Sequence, residues 1–379
     1  MKQKLLIFVL FLLSFTSSVY TQTVATFAGV PKVAGATSVA ANRLSAHFTQ
    51  PYGVVYDSKG NMWISEEGNS TIAMVIASNQ EVRIRAGGVG LAGFYDGSGI
   101  TSRFNAPSGI AIGPNDEIYV ADKNNHVIRK IEPFTAAGNA QMVSVFAGKY
   151  TIKPGQYDSY DGYKDGDKST AQFSSPTDVA CDASGNVYVA DKGNHVIRKI
   201  TPNGDVSTFA GQAGNQGNAD GNALSQALFN SPVGVFVKGN DVYVADQFNS
   251  SIRKISGGQV STVVSGLWTP MDVWVDSKND IYITDFHRVR KYDNTYAGSS
   301  QVSVSGFKDG DANSALFNQV KGICMYGGAI YVADMDNHII RKISQTSSTD
   351  EASFLSDLII YPNPASTHLV VQGNLPEGH

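Results

Sequence analysis

Two aspartates occupy a position that four related segments give to glycine. The position falls at the start of an apolar segment that recurs along the chain, and its residues are Gly53, Gly109, Asp178, Gly234, Asp272 and Gly322. If these segments converge on one axis, the two carboxylates are placed to bind a divalent cation or to orient a polar ligand. In the alternative interpretation, each carboxylate accepts hydrogen bonds from neighbouring strand ends. Asp178 and Asp272 are therefore candidate metal ligands, with both interpretations open.

Aromatic and charged residues lie close to Asp272 in the sequence. Trp268 precedes it, and Phe286, His287 and Arg288 follow in the next turn. Aromatic faces beside a carboxylate and an arginine suit a sugar or a peptide. Trp274, within the same segment, is predicted to lie in the core. The predicted ligand-binding set is Asp178, Trp268, Asp272, Phe286, His287 and Arg288.

An acidic loop is a second candidate for cation binding. It carries Asp158, Asp161, Asp165 and Asp167, and calcium prefers oxygen ligands. The spacing is not that of an EF-hand loop, so a solvated turn cluster is the favoured interpretation and a calcium site the alternative. The sequence indicates no required cofactor, and it contains no nucleophile elbow, phosphate-binding loop or spaced zinc motif.

The elements that position these residues are clearest between residues 176 and 211. Four apolar runs, separated by Gly, Asn, Asp and Pro, occur there at residues 177–182, 187–190, 195–200 and 206–210. Short runs with period-two alternation and such boundaries are typical of β-strands. Four strands joined by tight turns form one up-and-down antiparallel sheet. Repetition of such a sheet along the chain predicts an all-β protein of the β-propeller type.

The second-strand motif occurs six times, beginning at Trp63, Ile118, Val187, Val242, Ile281 and Ile330. Residues 24–29 match the fourth strand of the template but precede any first strand, and no fourth strand follows the sixth copy. Both irregularities disappear if the N-terminal strand becomes the outer strand of the last blade, which also removes exposed sheet edges. We therefore predict a six-bladed propeller of four-stranded antiparallel blades over residues 23–344, closed in this way.

The fifth copy differs from the others in its connections. The segment leading into it shrinks to residues 265–269, and the turn after Asp285 is about two residues shorter than elsewhere. Both changes lower the same rim of the ring, so we predict a notch there. The recurring Asp-x-x-Asn-His…Arg set of the other copies is interpreted as structural. Five phenylalanines are predicted to fill the gaps between blades, namely Phe48, Phe104, Phe173, Phe229 and Phe317.

The composition and the N-terminal residues indicate which partners to expect and whether the protein is exported. A net charge of −4 over 379 residues gives no reason to expect nucleic acid as a partner, because nucleic acid requires a basic face. Residues 1–22 are typical of a signal peptide, because Lys2 and Lys4 precede an apolar run, residues 5–15, that is shorter than the roughly 20 residues of a membrane span. We therefore predict a secreted or outer-surface protein without a membrane span. Cys181 and Cys324 fall on opposite blades, so they are predicted to be free, buried thiols.

The C-terminal region differs in composition from the repeats. Residues 345–357 are polar and rich in Ser and Thr, which is typical of a linker. Residues 358–379 begin a second, truncated β-module that is too short to bury a core of its own.

The repeats resemble NHL repeats of the teneurin-like and bacterial exported type, on the steps Asn125-His126-Val127, Asn194-His195-Val196 and Asn337-His338-Ile339. The tail around Tyr361-Pro362-Asn363-Pro364 is similar to the start of the sorting domain recognised by the type IX secretion system of Bacteroidota. The resemblance implies a binding module for an extracellular glycan, peptide or protein, with the secretion machinery as a partner of the tail. Related propellers also imply an alternative, a divalent-cation-dependent hydrolase or lyase of the lactonase kind, with its site at the channel mouth and Asp178 and Asp272 among its ligands.

Overall fold

Each repeat folds into one antiparallel sheet, and the six sheets are arranged as the blades of a propeller. The computed structural model describes residues 20–37, 40–133, 141–153, 156–347, 359–361 and 370–372. The first strand of every blade contacts the first strands of both neighbouring blades, and this chain of contacts closes into a ring. Regular helix in the described residues is limited to short 3₁₀ turns. The predicted all-β, six-bladed propeller is therefore confirmed.

Every blade has a first strand beside the central channel, followed outward by three more. In blades one to six, the first strands are Pro51–Tyr56, Pro107–Ile112, Pro176–Cys181, Pro232–Lys238, Pro270–Val275 and Val320–Tyr326. The second strands are Met62–Glu66, Ile118–Asp122, Val187–Asp191, Asp241–Asp246, Ile281–Asp285 and Ala329–Asp334. The third strands are Thr71–Val75, Val127–Ile131, Val196–Ile200, Ser251–Ser256, Arg288–Lys291 and Ile339–Ser347. The outer strands are Glu81–Ala86, Met142–Ala147, Val206–Ala210, Gln259–Val264, Asn294–Ala297 and, for blade six, Tyr20–Ala28.

The ring closes through the N-terminal strand, as predicted. Tyr20–Ala28 lies beside Ile339–Ser347 in the sheet of blade six. Phe27 packs edge-on against Tyr331 of the same blade, with ring centroids 5.0 Å apart. The propeller forms one compact unit, Thr23–Ser344. A separate hairpin, Ile359–Tyr361 paired with Val370–Gln372, lies in the C-terminal region.

Most blades carry one short strand more than predicted. Ala41–Asn42, Gly97–Ser98, Gly221–Asn222 and Gly310–Asp311 each pair with the outer strand of the blade they lead into. In blade three, Gly166 makes a single bridge to Val206 instead. The connections between blades therefore cover the outer sheet edges, which are otherwise liable to pair with other chains.

A buried arginine holds each of these connections in blades two, three, four and six. In blade three, the Arg198 guanidinium is fully buried and contacts Asp191 at 2.9 Å and Asp165 at 2.5 Å. It also donates to the carbonyls of Lys164 and Gln172. Asp191 belongs to the same blade as Arg198, whereas Asp165 comes from the incoming connection. The recurring Asp…Arg pair is thus explained by folding alone, as predicted.

The five phenylalanines of the connections are completely buried, which confirms their predicted role between blades. Both cysteines are free, also as predicted. Cys324 is buried, but Cys181 is only half-buried because it lines the central channel, so the prediction of two buried thiols is wrong for Cys181. In the described part of the chain, no helix has the length and apolar character needed to cross a bilayer.

Candidate functional site

Four glycines and two aspartates form a ring near the starts of the first strands, and we call this ring the constriction because neighbouring first strands approach closely there. A β-carbon added to Gly322 would lie 2.7 Å from the carbonyl oxygen of Tyr52 in the next blade. One added to Gly109 would lie 1.9 Å from an oxygen of Asp178. Neighbouring first strands approach too closely here for a second side chain. Glycine at these positions is therefore a packing requirement.

Asp178 and Asp272 connect the blades at this constriction. Asp178 accepts the backbone N–H of Val235 in the next blade at 2.8 Å. Asp272 accepts the N–H of Ile323 in the next blade at 2.9 Å, and that of Val273 at 2.7 Å. Burial raises the pKa of Asp272 to about 7, and burial together with the charge of Asp272 raises that of Asp178 well above its usual range. No group of three His, Cys, Asp or Glu side chains suited to a metal occurs in the described residues.

Below the constriction, the channel widens into a mainly apolar cavity of about 270 Å³. Its wall is made of inward-facing side chains such as Val54, Ile110, Val179 and Val235. Trp274 also lines this cavity and packs on Phe236, with ring centroids 4.5 Å apart. It is half-buried and packs against buried core side chains, so its predicted place in the core is confirmed in part. This chamber follows directly from the period-two pattern that all six repeats share.

Above the constriction, the channel opens at the face that carries the turns between second and third strands. We call this cavity, about 260 Å³ in volume, the mouth. Most of its lining side chains are polar: Gln50, Tyr52, Glu67, Lys123, Thr177, Lys192, Gln247, Gln319, Lys321 and Asp336. Met271, Met335 and Val233 complete it. Every blade except the fifth contributes at least one polar side chain to this lining.

The 3₁₀ turns present several of these side chains. The turns are Lys123–Asn125, Lys192–Asn194, Gln247–Asn249 and Met335–Asn337. Each begins directly after the buried aspartate of the second strand and ends at a residue in the left-handed conformation. The asparagine of the turn donates to that aspartate, as Asn194 does to Asp191 at 2.8 Å. The first residue of each turn is thus fixed beside the channel by its neighbours.

The charges of the mouth are unequally compensated. Lys123 pairs with Glu67, and Asp336 accepts the side-chain amide of Gln319 at 2.7 Å. Within the described residues, neither Lys192 nor Lys321 has a carboxylate at ion-pair distance. Burial lowers the pKa of Lys321 to about 8. Burial and the charge of Lys123 lower the pKa of Lys192.

Of the ligand-binding residues predicted from sequence around the fifth blade, only Asp272 lines one of the two channel cavities. Trp268 is 58% exposed, and its backbone N–H donates to Asp285. The Phe286 ring packs on that of His287, with centroids 3.8 Å apart. Arg288 contacts Asp285 at 3.1 Å, while Asp272 faces the channel.

His287 has a hydrogen-bond partner in the next blade that could not be recognised from its position in the sequence. Its Nδ1 accepts the backbone N–H of Gln319 in the next blade at 3.0 Å. His126, His195 and His338 accept the equivalent N–H from Ser175, Ser231 and Gln50. His287 is therefore the histidine of the repeat, displaced by the two-residue shortening of the turn. The shortened turn itself is present as predicted, since Phe286 adopts the left-handed conformation directly after Asp285.

The aspartates of the acidic loop have separate surroundings. Asp161 lies 3.7 Å from His126, and Asp165 pairs with Arg198. Asp167 accepts hydrogen bonds from Ser169 and Thr170, which lower its pKa to about 2. Calcium binding at this loop stays a prediction.

Sequence reasoning missed the three lysines of the mouth. Lys123 and Lys192 directly follow the aspartate that ends the second strand, and Lys321 precedes the glycine of the constriction. Aligning the copies at these two positions shows that neither position keeps one residue type. That variability between copies was the available signal.

The fold and repeat define this chain as a six-bladed β-propeller whose repeats are similar to NHL repeats. The family model described as the Teneurin NHL domain matches residues 69–201. NHL repeat-containing protein 2 of Bos taurus is 29% identical over 370 residues, covering 82% of this chain and 47% of that protein. The chain thus spans about half the length of the curated relatives it matches.

Two solved structures are similar in fold alone. Virginiamycin B lyase from Staphylococcus aureus has a TM-score of 0.50 at 15% identity, covering 86% of this chain and 99% of the other. A gluconolactonase from Xanthomonas campestris has a TM-score of 0.51 at 10% identity, covering 79% of this chain and 87% of the other.

Proposed function

We propose that this propeller is an exported binding module that holds a group of a glycan, peptide or protein partner in the mouth of its channel. The observation that carries the proposal is the concentration of non-repeated polar side chains around one cavity. The chamber on the other side of the constriction is lined mainly by apolar side chains and offers few polar groups to a ligand. Export rests on the sequence pattern of residues 1–22, which lie largely outside the described residues.

The cation-dependent alternative receives less support from the geometry. Its proposed ligands, Asp178 and Asp272, already accept backbone amides from neighbouring blades. Their oxygens are therefore engaged in holding first strands together. For this reason, we place ligand binding ahead of catalysis.

The test is a steric block of the mouth. Gln247 is half-exposed at the start of a 3₁₀ turn, so Gln247→Trp narrows the mouth without entering the core. Gln301→Trp, at an exposed position of a connecting loop, is the matched control. Arrays of defined glycans and peptides should show a ligand that the wild type and the control bind and that Gln247→Trp loses. Equal binding by all three proteins would refute the proposed location of the site.

A further inference from the structure

The mouth contains more hydrogen-bond donors than good acceptors. Lys321 Nζ lies 3.4 Å from the side-chain oxygen of Gln319 and 3.9 Å from the sulfur of Met271. The amide of Gln247 donates to the same sulfur at 3.1 Å. A thioether is a weak acceptor. Two strong donors from different blades therefore share a poor acceptor at one point of the cavity.

The positive charge of the mouth is in excess as well. Three lysines face two carboxylates, and only Lys123 is paired with one of them. Burial lowers the pKa of Lys321, the charges of Glu67 and Asp336 raise it, and those of Lys192 and Lys123 lower it. Lys192 and Lys321 are thus partly desolvated ammonium groups without a carboxylate at ion-pair distance in the described part of the chain. A bound anion would pair with them and would also supply the missing acceptors.

Neutral polar groups surround the lysines. Gln50 and Gln247 line the same cavity. Side-chain amides act as both donors and acceptors, which suits sugar hydroxyl groups. The ring of Tyr52 forms part of the floor, with Lys321 Nζ 5.9 Å from its centroid.

Accepting the proposed function, we infer that the mouth binds a monosaccharide unit that bears one oxyanion, with Lys192 and Lys321 holding the anionic group. A carboxylate and a phosphate share this chemistry, so the ligand is either a sugar acid or a sugar phosphate. Gln50 and Gln247 bind the hydroxyl groups of the ring.

The experiment is titration calorimetry with galacturonate, glucose 6-phosphate, galactose and inorganic phosphate. We expect one of the two anionic sugars to bind at least about tenfold more tightly than galactose and than inorganic phosphate. Which of them binds identifies the source of the anion. Equal affinity for galactose would overturn the role of the lysines, and equal affinity for inorganic phosphate would overturn the role of the sugar.

Variants locate the anion within the mouth. Lys192→Gln and Lys321→Met should each weaken the anionic sugar about tenfold or more, because each removes a charge-assisted hydrogen bond. Lys278→Gln, which removes a charge from an exposed turn, is the matched control and should bind normally. Unchanged thermal unfolding of the variants excludes loss of fold as the cause. If all proteins bind the anion equally, the inference fails.

The proposed function can survive failure of this inference. A neutral glycan or peptide that is lost in Gln247→Trp but kept in Lys192→Gln and Lys321→Met would support the mouth as a binding site. The same result would overturn the oxyanion.

Discussion

Substitutions of Asp272 distinguish two roles of its carboxylate, fastening two blades together and binding a cation. Asp272→Ala removes the acceptor for the backbone N–H groups of Ile323 and Val273. A buried donor without a partner costs about 1–3 kcal/mol. Water from the channel can reach part of this site, so we expect a loss of about 2 kcal/mol in the free energy of unfolding.

Asp272→Asn gives the informative comparison. Its side-chain carbonyl still accepts the N–H of Ile323, so we expect a loss of less than about 1 kcal/mol. If Asp272 bound a cation, Asp272→Asn should destabilise the protein as much as Asp272→Ala, because replacing a carboxylate ligand by an amide removes the charge that binds the metal. Asp205→Ala, at an exposed turn of blade three, serves as the control.

Denaturant titration followed by tryptophan fluorescence measures these differences, since Trp274 lies in the channel close to the constriction. Each protein is titrated with calcium and again with a chelator. Equal destabilisation by Asn and Ala, together with a chelator effect seen only in the wild type, would refute the fastening role. The fastening role is supported if the free energy of unfolding depends on neither calcium nor the chelator and if Asp272→Asn destabilises the protein less than Asp272→Ala.

Three further predictions concern charges. Arg253→Ala should lower the free energy of unfolding by about 3–5 kcal/mol, because it leaves the carboxylate of Asp246 buried without its cation. As a control, Lys254→Ala on the same strand should lower it by less than about 1 kcal/mol. Equal denaturation midpoints for the two variants would contradict the stabilising role of the buried Arg253–Asp246 pair. The raised pKa of Asp272 means that its proton is held more tightly in the folded state than in the unfolded state. The free energy of unfolding of the wild type should therefore fall relative to that of Asp272→Asn as pH rises from the ordinary carboxyl value of about 4 to about 7. Parallel curves of unfolding free energy against pH for the two proteins would contradict this expectation. Because the pKa of Lys321 is about 8, affinity for an anionic ligand should decrease between pH 7 and pH 9, and calorimetry showing no decrease would exclude Lys321 from the site.

Much of the fold could be predicted because the sequence pattern of one blade recurs six times in the chain. The alternation of the strands, the turn residues and the displaced N-terminal strand all follow from aligning the copies. The added edge strands could not be predicted from periodicity, since two residues such as Gly97–Ser98 are too few to show it. Their position depends on contacts between the incoming connection and the outer strand of the blade, which are distant in sequence.

The candidate site was harder to predict than the fold. The fifth blade drew attention because its sequence departs from the others, yet His287 and Arg288 there repeat structural roles in a shorter turn. Sequence position also placed Asp272 near Trp268. In the structure Asp272 lines the channel, whereas Trp268 lies exposed before the strand begins at Pro270.

A repeat protein divides its residues between two tasks, and the copies themselves show the division. Residues that recur, such as Asp191 and Arg198, are engaged by contacts within the blade and with its incoming connection. The residue that follows the acidic residue at the end of the second strand lines the mouth in five of the six blades, and its type varies between copies. In this chain it is Glu67, Lys123, Lys192, Gln247, Phe286 and Met335. Since folding does not require these differences, the specificity of the propeller for a ligand is best sought at the positions where its six copies disagree.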